Sequence, residues 1–147
     1  MSNDGKHDPS CIFCRIVAGE APAHRVWEDE ATLVFLDIFP VSPGHTLIIT
    51  KGHHENLFEA PAGSLAAVGA VSKRIAEALR EELAPAGMMV FQLNGADAGQ
   101  TVFHYHMHLL PRWPGQELVL HTRVPGDPVA LADLAAKLVA RLERSAS

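Results

Sequence analysis

The chain has 147 residues, 48% of them hydrophobic and 20% charged. That fits a single globular domain with an ordinary core and excludes a disordered chain. A formal net charge of -5 at pH 7 lacks the basic face that double-stranded nucleic acid demands, so no nucleic-acid partner is expected. No apolar run is long enough to span a bilayer, and Met1 to Ser10 lacks the apolar stretch of a signal peptide; no membrane partner and a cytoplasmic address follow.

In chain order, residues 1–10 are polar and read as a disordered segment, and residues 11–147 as one domain. A short N-terminal helix is predicted through Ile12, Phe13, Ile16 and Val17, ending at Gly19. His24–Trp27 and Thr32–Leu36 read as two strands of a hairpin, joined by a solvated acidic turn at Glu28, Asp29 and Glu30. Pro40, Pro43 and Gly44 make a loop before a third strand, Thr46–Ile49. From Pro61 to Leu83, Leu65, Val68, Val71, Ile75 and Leu79 repeat at helical spacing, with Lys73, Arg74, Glu77, Arg80 and Glu81 on the other side. This is one long amphipathic helix, ended by Pro85 and Gly87. Met88–Leu93 and His104–Leu110 are the last strands, linked by the small-residue loop Asn94–Gln100. Asp127 caps and Pro128 starts a C-terminal helix over about 128–143, with Leu131, Leu134, Leu138 and Leu142 as its buried stripe. The fold class is α+β, an antiparallel sheet with one long helix against it.

The chemistry concentrates on His104, His106 and His108. On a strand, side chains alternate, so three such histidines share a face, neighbours about 6.6 Å apart. Tyr105, Met107 and Leu109 then point into the core. Packing needs no row of titratable rings on an apolar strand. Neutral imidazoles serve as nucleophiles, acids or metal ligands near pH 7.

This His-x-His-x-His strand resembles the signature of the histidine triad (HIT) superfamily. Further blocks resemble that family in order: Cys11-Ile12-Phe13-Cys14, Phe35–Pro40, Pro43–Ile49, Lys51–Leu57 and Pro111-Arg112. The resemblance covers roughly residues 11 to 113. It implies hydrolysis or transfer of nucleotidyl groups, with His106 attacking the α-phosphorus and a covalent nucleotidyl-histidine formed and hydrolysed. His108 then donates to the phosphate or leaving group, and His104 supports the array. Gly99, Gln100 and Thr101 are implied as phosphate contacts, through backbone amides and polar side chains. Many members carry Asn or Gln eleven residues before the first histidine; Leu93 stands there instead, with Gln92 and Asn94 as the nearest polar candidates and Asn94 taken as the phosphate contact. Asp37 matches the position that accepts hydrogen bonds from the ribose hydroxyls. Ile12, Phe13, Ile16, Phe35, Ile38 and Leu47 read as walls around a purine base or as ordinary core.

Cys11 and Cys14 have metal-ligand spacing, yet two ligands do not close a tetrahedral zinc site. The resemblance implies that His53 and His104 complete it, with His54 and His7 as competitors; a free buried pair or a redox dithiol are the alternatives. The implied substrate is a purine nucleoside phosphoramidate or a dinucleoside polyphosphate. A nucleotide-binding regulatory module with incidental hydrolysis is the alternative. The resemblance also implies a homodimer joined through the long helix and the Met88–Leu93 strand, whose Met-Met-Val-Phe-Gln-Leu run would be an aggregation hazard if left as a bare edge.

Overall fold

Residues 6–145, the part that the computed structural model describes, are organised around one antiparallel sheet. Helix α1 (Ile12–Val17) is followed by β1 (Arg25–Glu28), β2 (Thr32–Leu36) and β3 (Thr46–Thr50). Then come α2 (Ala62–Leu83), β4 (Gly87–Phe91), β5 (His106–Arg112) and α3 (Pro128–Ser145). The strand order is β1-β2-β3-β5-β4, which leaves β4 as an edge and β3 in the middle. No helix among the described residues is long and apolar enough to cross a membrane.

Strand alternation separates two apolar layers. Val34, Leu36, Ile48 and Leu109 point to one face, where Val68, Val71, Ile75 and Leu79 of α2 and Leu138 of α3 close the main core. Leu33, Phe35, Leu47 and Ile49 point to the other, where Phe13 and Ile16 of α1 cover them. Ile49 pairs with His106 and Leu47 with His108, so these two rings stand on the α1 face. Tyr105, Met107 and Leu109 belong to the α2 core, as the sequence predicts.

Several local details differ from expectation. Residues 1–5 of the segment expected to be disordered lie outside the described residues. Residues 6–10 make a capped turn: Asp8 accepts from the Ser10 backbone at 2.9 Å and its hydroxyl at 2.7 Å, and the Lys6 carbonyl accepts from the His53 N–H at 3.0 Å. The acidic turn is not merely solvated. Asp29 accepts from Ala31 N–H, Thr32 N–H and the Trp27 indole at 2.8–2.9 Å and so builds the hairpin. β5 starts at His106 rather than His104, because the Tyr105 N–H goes to the His54 carbonyl at 2.7 Å instead of a ladder partner. β4 stops at Phe91, two residues before Leu93, where Gln92 and Asn94 pair their amides with each other at 2.8 Å. Helix α2 is stopped by Ala84 in the left-handed conformation, φ 48°, ahead of Pro85.

Gly44 links this packing to the site. Its φ is +87°, and a Cβ there would lie 2.5 Å from Leu83 Cδ1 and 3.0 Å from Pro111 Cγ. Gly44→Ala should therefore destabilise the fold by about 1–3 kcal/mol through backbone strain and overpacking. A lowered urea midpoint at unchanged m is the expected reading; an unshifted midpoint would remove both terms.

Candidate active site

β5 carries His106 and His108, and hydrogen bonds settle which nitrogen of each ring is protonated. His106 Nδ1 lies 2.7 Å from the carbonyl of His104, an acceptor only, so Nδ1 holds the proton. The lone pair is left on Nε2. Val41 donates its N–H to His45 Nδ1 at 3.1 Å, which puts the His45 proton on Nε2. His45 Nε2 in turn lies 2.9 Å from His108 Nδ1. His108 accepts there and keeps its own proton on Nε2. The cleft thus receives a nucleophilic nitrogen from His106 and an N–H donor from His108. Phe91 lies flat on His108, with centroids 4.3 Å apart and planes 9° apart, while Phe13 meets His106 edge-on at 5.1 Å.

Burial keeps these rings neutral. It pushes His45 down to about 4 and His108 to about 2, neighbouring histidines adding to the effect. His106 is lowered too, mainly by burial, with the His104 carbonyl opposing. A neutral imidazole is the reactive form.

His106 and His108 open into a cavity of about 150 Å³, lined also by Phe13, Asp37, His45, Thr101 and Val102. A second cavity of about 230 Å³ is lined by Ile12, Ile16, Phe35, Ile38 and Leu47, and it shares Asp37 and Leu47 with the first. Ile12 and Ile38 are half exposed at its rim, whereas Phe35 and Leu47 are buried. An apolar slot, a carboxylate and a histidine cleft therefore follow one another in space. Asp37 accepts the Phe39 N–H at 2.8 Å through Oδ1, and its Oδ2 stands 3.6 Å from His45 Nε2. Burial raises its carboxyl above the usual range.

The Gly-Gln-Thr loop is used differently from expectation. Gln100 is buried; its amide donates to the Glu55 and Val102 carbonyls at 2.6 and 3.0 Å and accepts from Gly95 N–H at 2.8 Å. Those bonds shape the loop and leave no amide proton for a phosphate. Gly99 has φ +99° and turns its carbonyl to His121. Thr101 alone of the three lines the cleft. Asn94 does not: its carbonyl is held by the Leu57 N–H at 2.8 Å and by Gln92. Leu93 packs 3.2 Å from where a Gly99 Cβ would be.

Beside the cleft, Cys11, Cys14, His53 and His104 bring their ligating atoms within 4.8 Å of one another. The sulfur–nitrogen separations are 3.3 Å for Cys14–His53, 3.5 Å for Cys11–His104 and 3.6 Å for Cys14–His104. A tetrahedral zinc with Zn–S about 2.3 Å and Zn–N about 2.0 Å sets such atoms about 3.5 Å apart. The donor set suits a structural zinc ion. His104 Nε2–H donates to the Thr50 carbonyl at 2.6 Å, which leaves Nδ1 to face the sulfurs. Burial raises the Cys14 thiol to about 11 in the metal-free protein, a preference that a cation reverses. His54 does not join the cluster, and the His7 alternative does not either.

Sequence reasoning missed His45, Phe91 and His121. His45 sits in a Pro-Gly-His-Thr run that was legible as a block, but its pairing with His108 spans 63 positions. Phe91 lay in the predicted strand without a role. His121, with Leu120 and Thr122, lines the cleft from a segment that has no regular structure.

Residues 18–115 match the HIT domain. The chain is 47% identical over 104 residues to Protein hit of Bacillus subtilis, covering 71% of this chain and 72% of that protein. To the adenylylsulfatase HINT3 of Arabidopsis thaliana it is 36% identical over 132 residues, covering 82% and 67%. A zinc-bound histidine triad family protein from Mycobacterium smegmatis has a TM-score of 0.81 at 42% identity, covering 94% of this chain and 98% of that one.

Two outcomes follow. Metal analysis of protein purified without added metal should find about one zinc per chain, lost in a Cys11→Ser/Cys14→Ser double variant together with stability; full metal in that variant would move the site elsewhere. The second outcome concerns acid. Unfolded histidine takes up a proton near 6.5, whereas folded His45 resists until about 4. The unfolded state then binds more protons, so stability is complete above 6.5 and falls as the pH drops towards 4. Urea titrations across that window should show the loss, and His45→Gln should reduce it without abolishing it, because the buried rings of His104, His106 and His108 resist protonation as well.

Proposed function

Because this chain belongs to the HIT domain family, a family of nucleotide-binding proteins and nucleotide hydrolases, we propose that it is a nucleotidyl hydrolase. It acts at the α-phosphate of purine nucleoside phosphoramidates or dinucleoside polyphosphates through a covalent nucleotidyl-His106 intermediate. The observation that carries this reading is the His106 tautomer: Nδ1–H is fixed on the His104 carbonyl at 2.7 Å, and the Nε2 lone pair is left for the cleft. A protein that only bound nucleotide would gain nothing from it.

The base lies in the apolar slot against Ile16, Phe35 and Leu47, and the ribose hydroxyls reach Asp37 where the two cavities meet. The α-phosphoryl group then faces His106, with Thr101 and Val102 beside it. His106 Nε2 attacks phosphorus; a P–N bond forms as the bond to the leaving group breaks, and the departing atom takes the electron pair. The His104 carbonyl, on Nδ1–H, stabilises the cationic ring that results. His108 points its Nε2–H at the leaving atom. Water next attacks phosphorus, the P–N bond breaks, and the neutral ring returns as a proton goes to solvent.

His106→Ala should lower kcat/KM on an adenosine phosphoramidate at least about 1000-fold while AMP still binds. Slow substrates should leave nucleotidyl mass on the peptide holding residues 102–112. Wild-type turnover in the variant would end the covalent reading.

The same reading includes a homodimer and a cytoplasmic address. Supporting the dimer, β4 is an edge, its Val90 is half exposed, and a groove of about 370 Å³ runs beside it along α2, lined by Ala76, Ala86 and Met88. Sedimentation at micromolar concentration should give a species near twice 15.9 kDa; a species at the single-chain mass would refute it.

A further inference from the structure

We propose that His121 is a substrate-contacting residue, a fourth imidazole that meets the phosphoryl group at the mouth of the cleft. The proposal rests on the nucleotide-hydrolase reading above and adds to it a residue outside the histidine triad, delivered by the long connection between β5 and α3.

Residues 113–127 form neither helix nor strand, yet they are tied down. Trp113 N–H bonds to the Gln116 side chain at 3.1 Å, and Gly126 N–H bonds to the Ile38 carbonyl at 2.9 Å. Between these ties His121 donates Nε2–H to the Gly99 carbonyl at 2.8 Å. That bond fixes the ring beside the loop that leads into the triad and leaves Nδ1 uncommitted. The ring lines the same cavity as Thr101, His106 and His108, with its centroid 6.4 Å from that of His108.

Charge says why such a group is needed. Among the described residues no Lys or Arg lines the cleft, and Asp37 faces it with a carboxylate. The other rings facing His121 are His45, His106 and His108, all buried and all resistant to protonation. A phosphoryl anion arriving there meets N–H dipoles but no fixed cation. His121 is exposed and lines the cleft, and an imidazole with a proton on both nitrogens carries the positive charge that the other lining groups lack. Protonated, it keeps Nε2–H on Gly99 and turns Nδ1–H to a phosphoryl oxygen, a charge-assisted bond. It makes no bond to phosphorus, and it returns its proton to solvent as the product leaves. A purely structural staple would need Nε2 alone.

The test separates these roles. His121→Gln retains an amide donor for the Gly99 carbonyl but has no ring to protonate, whereas His121→Ala removes both. AMP affinity and kcat/KM on an adenosine phosphoramidate are measured for wild type and both variants between about pH 5.5 and 8.5. Both variants should lose roughly tenfold or more in AMP affinity and in kcat/KM, the worth of one charged hydrogen bond. Wild-type AMP binding should tighten as the pH falls, and that trend should vanish in His121→Gln. If His121→Gln matches wild type at every pH, whether or not His121→Ala is impaired, the ring is at most a loop staple and the proposal is overturned. A wild-type protein that binds AMP but turns nothing over sinks the hydrolase reading alone, and AMP affinity still decides on His121. Absence of AMP binding at millimolar concentration would overturn both.

Discussion

His104 holds three parts of the molecule together with three of its atoms. Its Nε2–H is bonded to the Thr50 carbonyl at the end of β3, its Nδ1 faces Cys11 and Cys14, and its backbone carbonyl accepts the Nδ1–H of His106. The first bond fixes the ring against the central strand. The second draws the N-terminal turn and α1 onto the sheet, because both cysteines lie on or beside that helix. The third fixes the His106 ring with its Nε2 lone pair turned to the cleft. A side chain in the strand could not do all of this, since a ladder position would commit its carbonyl to a neighbouring strand. The late start of β5, at His106, frees that carbonyl.

Once the carbonyl is free, desolvation does the remaining work. The rings of His45, His104, His106 and His108 are all buried. Burial penalises the imidazolium, so each stays neutral, with one nitrogen a donor and the other an acceptor. Backbone groups at the ends of the chain of rings then decide every tautomer: the Val41 N–H enters at His45, and the carbonyls of Thr50 and His104 close the other end. The same dryness that keeps the rings neutral lines the cleft with N–H dipoles and ring lone pairs rather than with protonated imidazoles.

The scaffold underneath is ordinary by comparison. α2 and α3 close one face of the sheet with aliphatic side chains, and α1 with Phe13 and Ile16 closes part of the other. The division matters because the covering helix on the active face is only six residues long. It shields Leu33, Phe35 and Ile49 and leaves room beyond them for a ligand. Gly44 completes the link between the faces, since its bare Cα lets Leu83 of α2 and Pro111 of β5 close in beneath His45.

The sequence by itself determined the elements whose signals are local. The 3.6-residue apolar repeat placed α2 to within a residue, and Asp127-Pro128 placed the start of α3, where Asp127 caps the Val129 N–H at 3.1 Å. The i, i+2, i+4 histidines marked the chemistry, and the Cys-x-x-Cys marked the metal ligands nearest each other. Tertiary structure alone decided what those groups do. Periodicity says which face a side chain takes and nothing about which distant backbone group meets it. The pairing of His45 with His108, the flat stack of Phe91, the arrival of His121, and the diversion of Gln100 and Asn94 into loop bonds all join segments far apart in the chain. Hydrogen-bond direction, and hence the protonated nitrogen of each ring, exists only once those segments have packed.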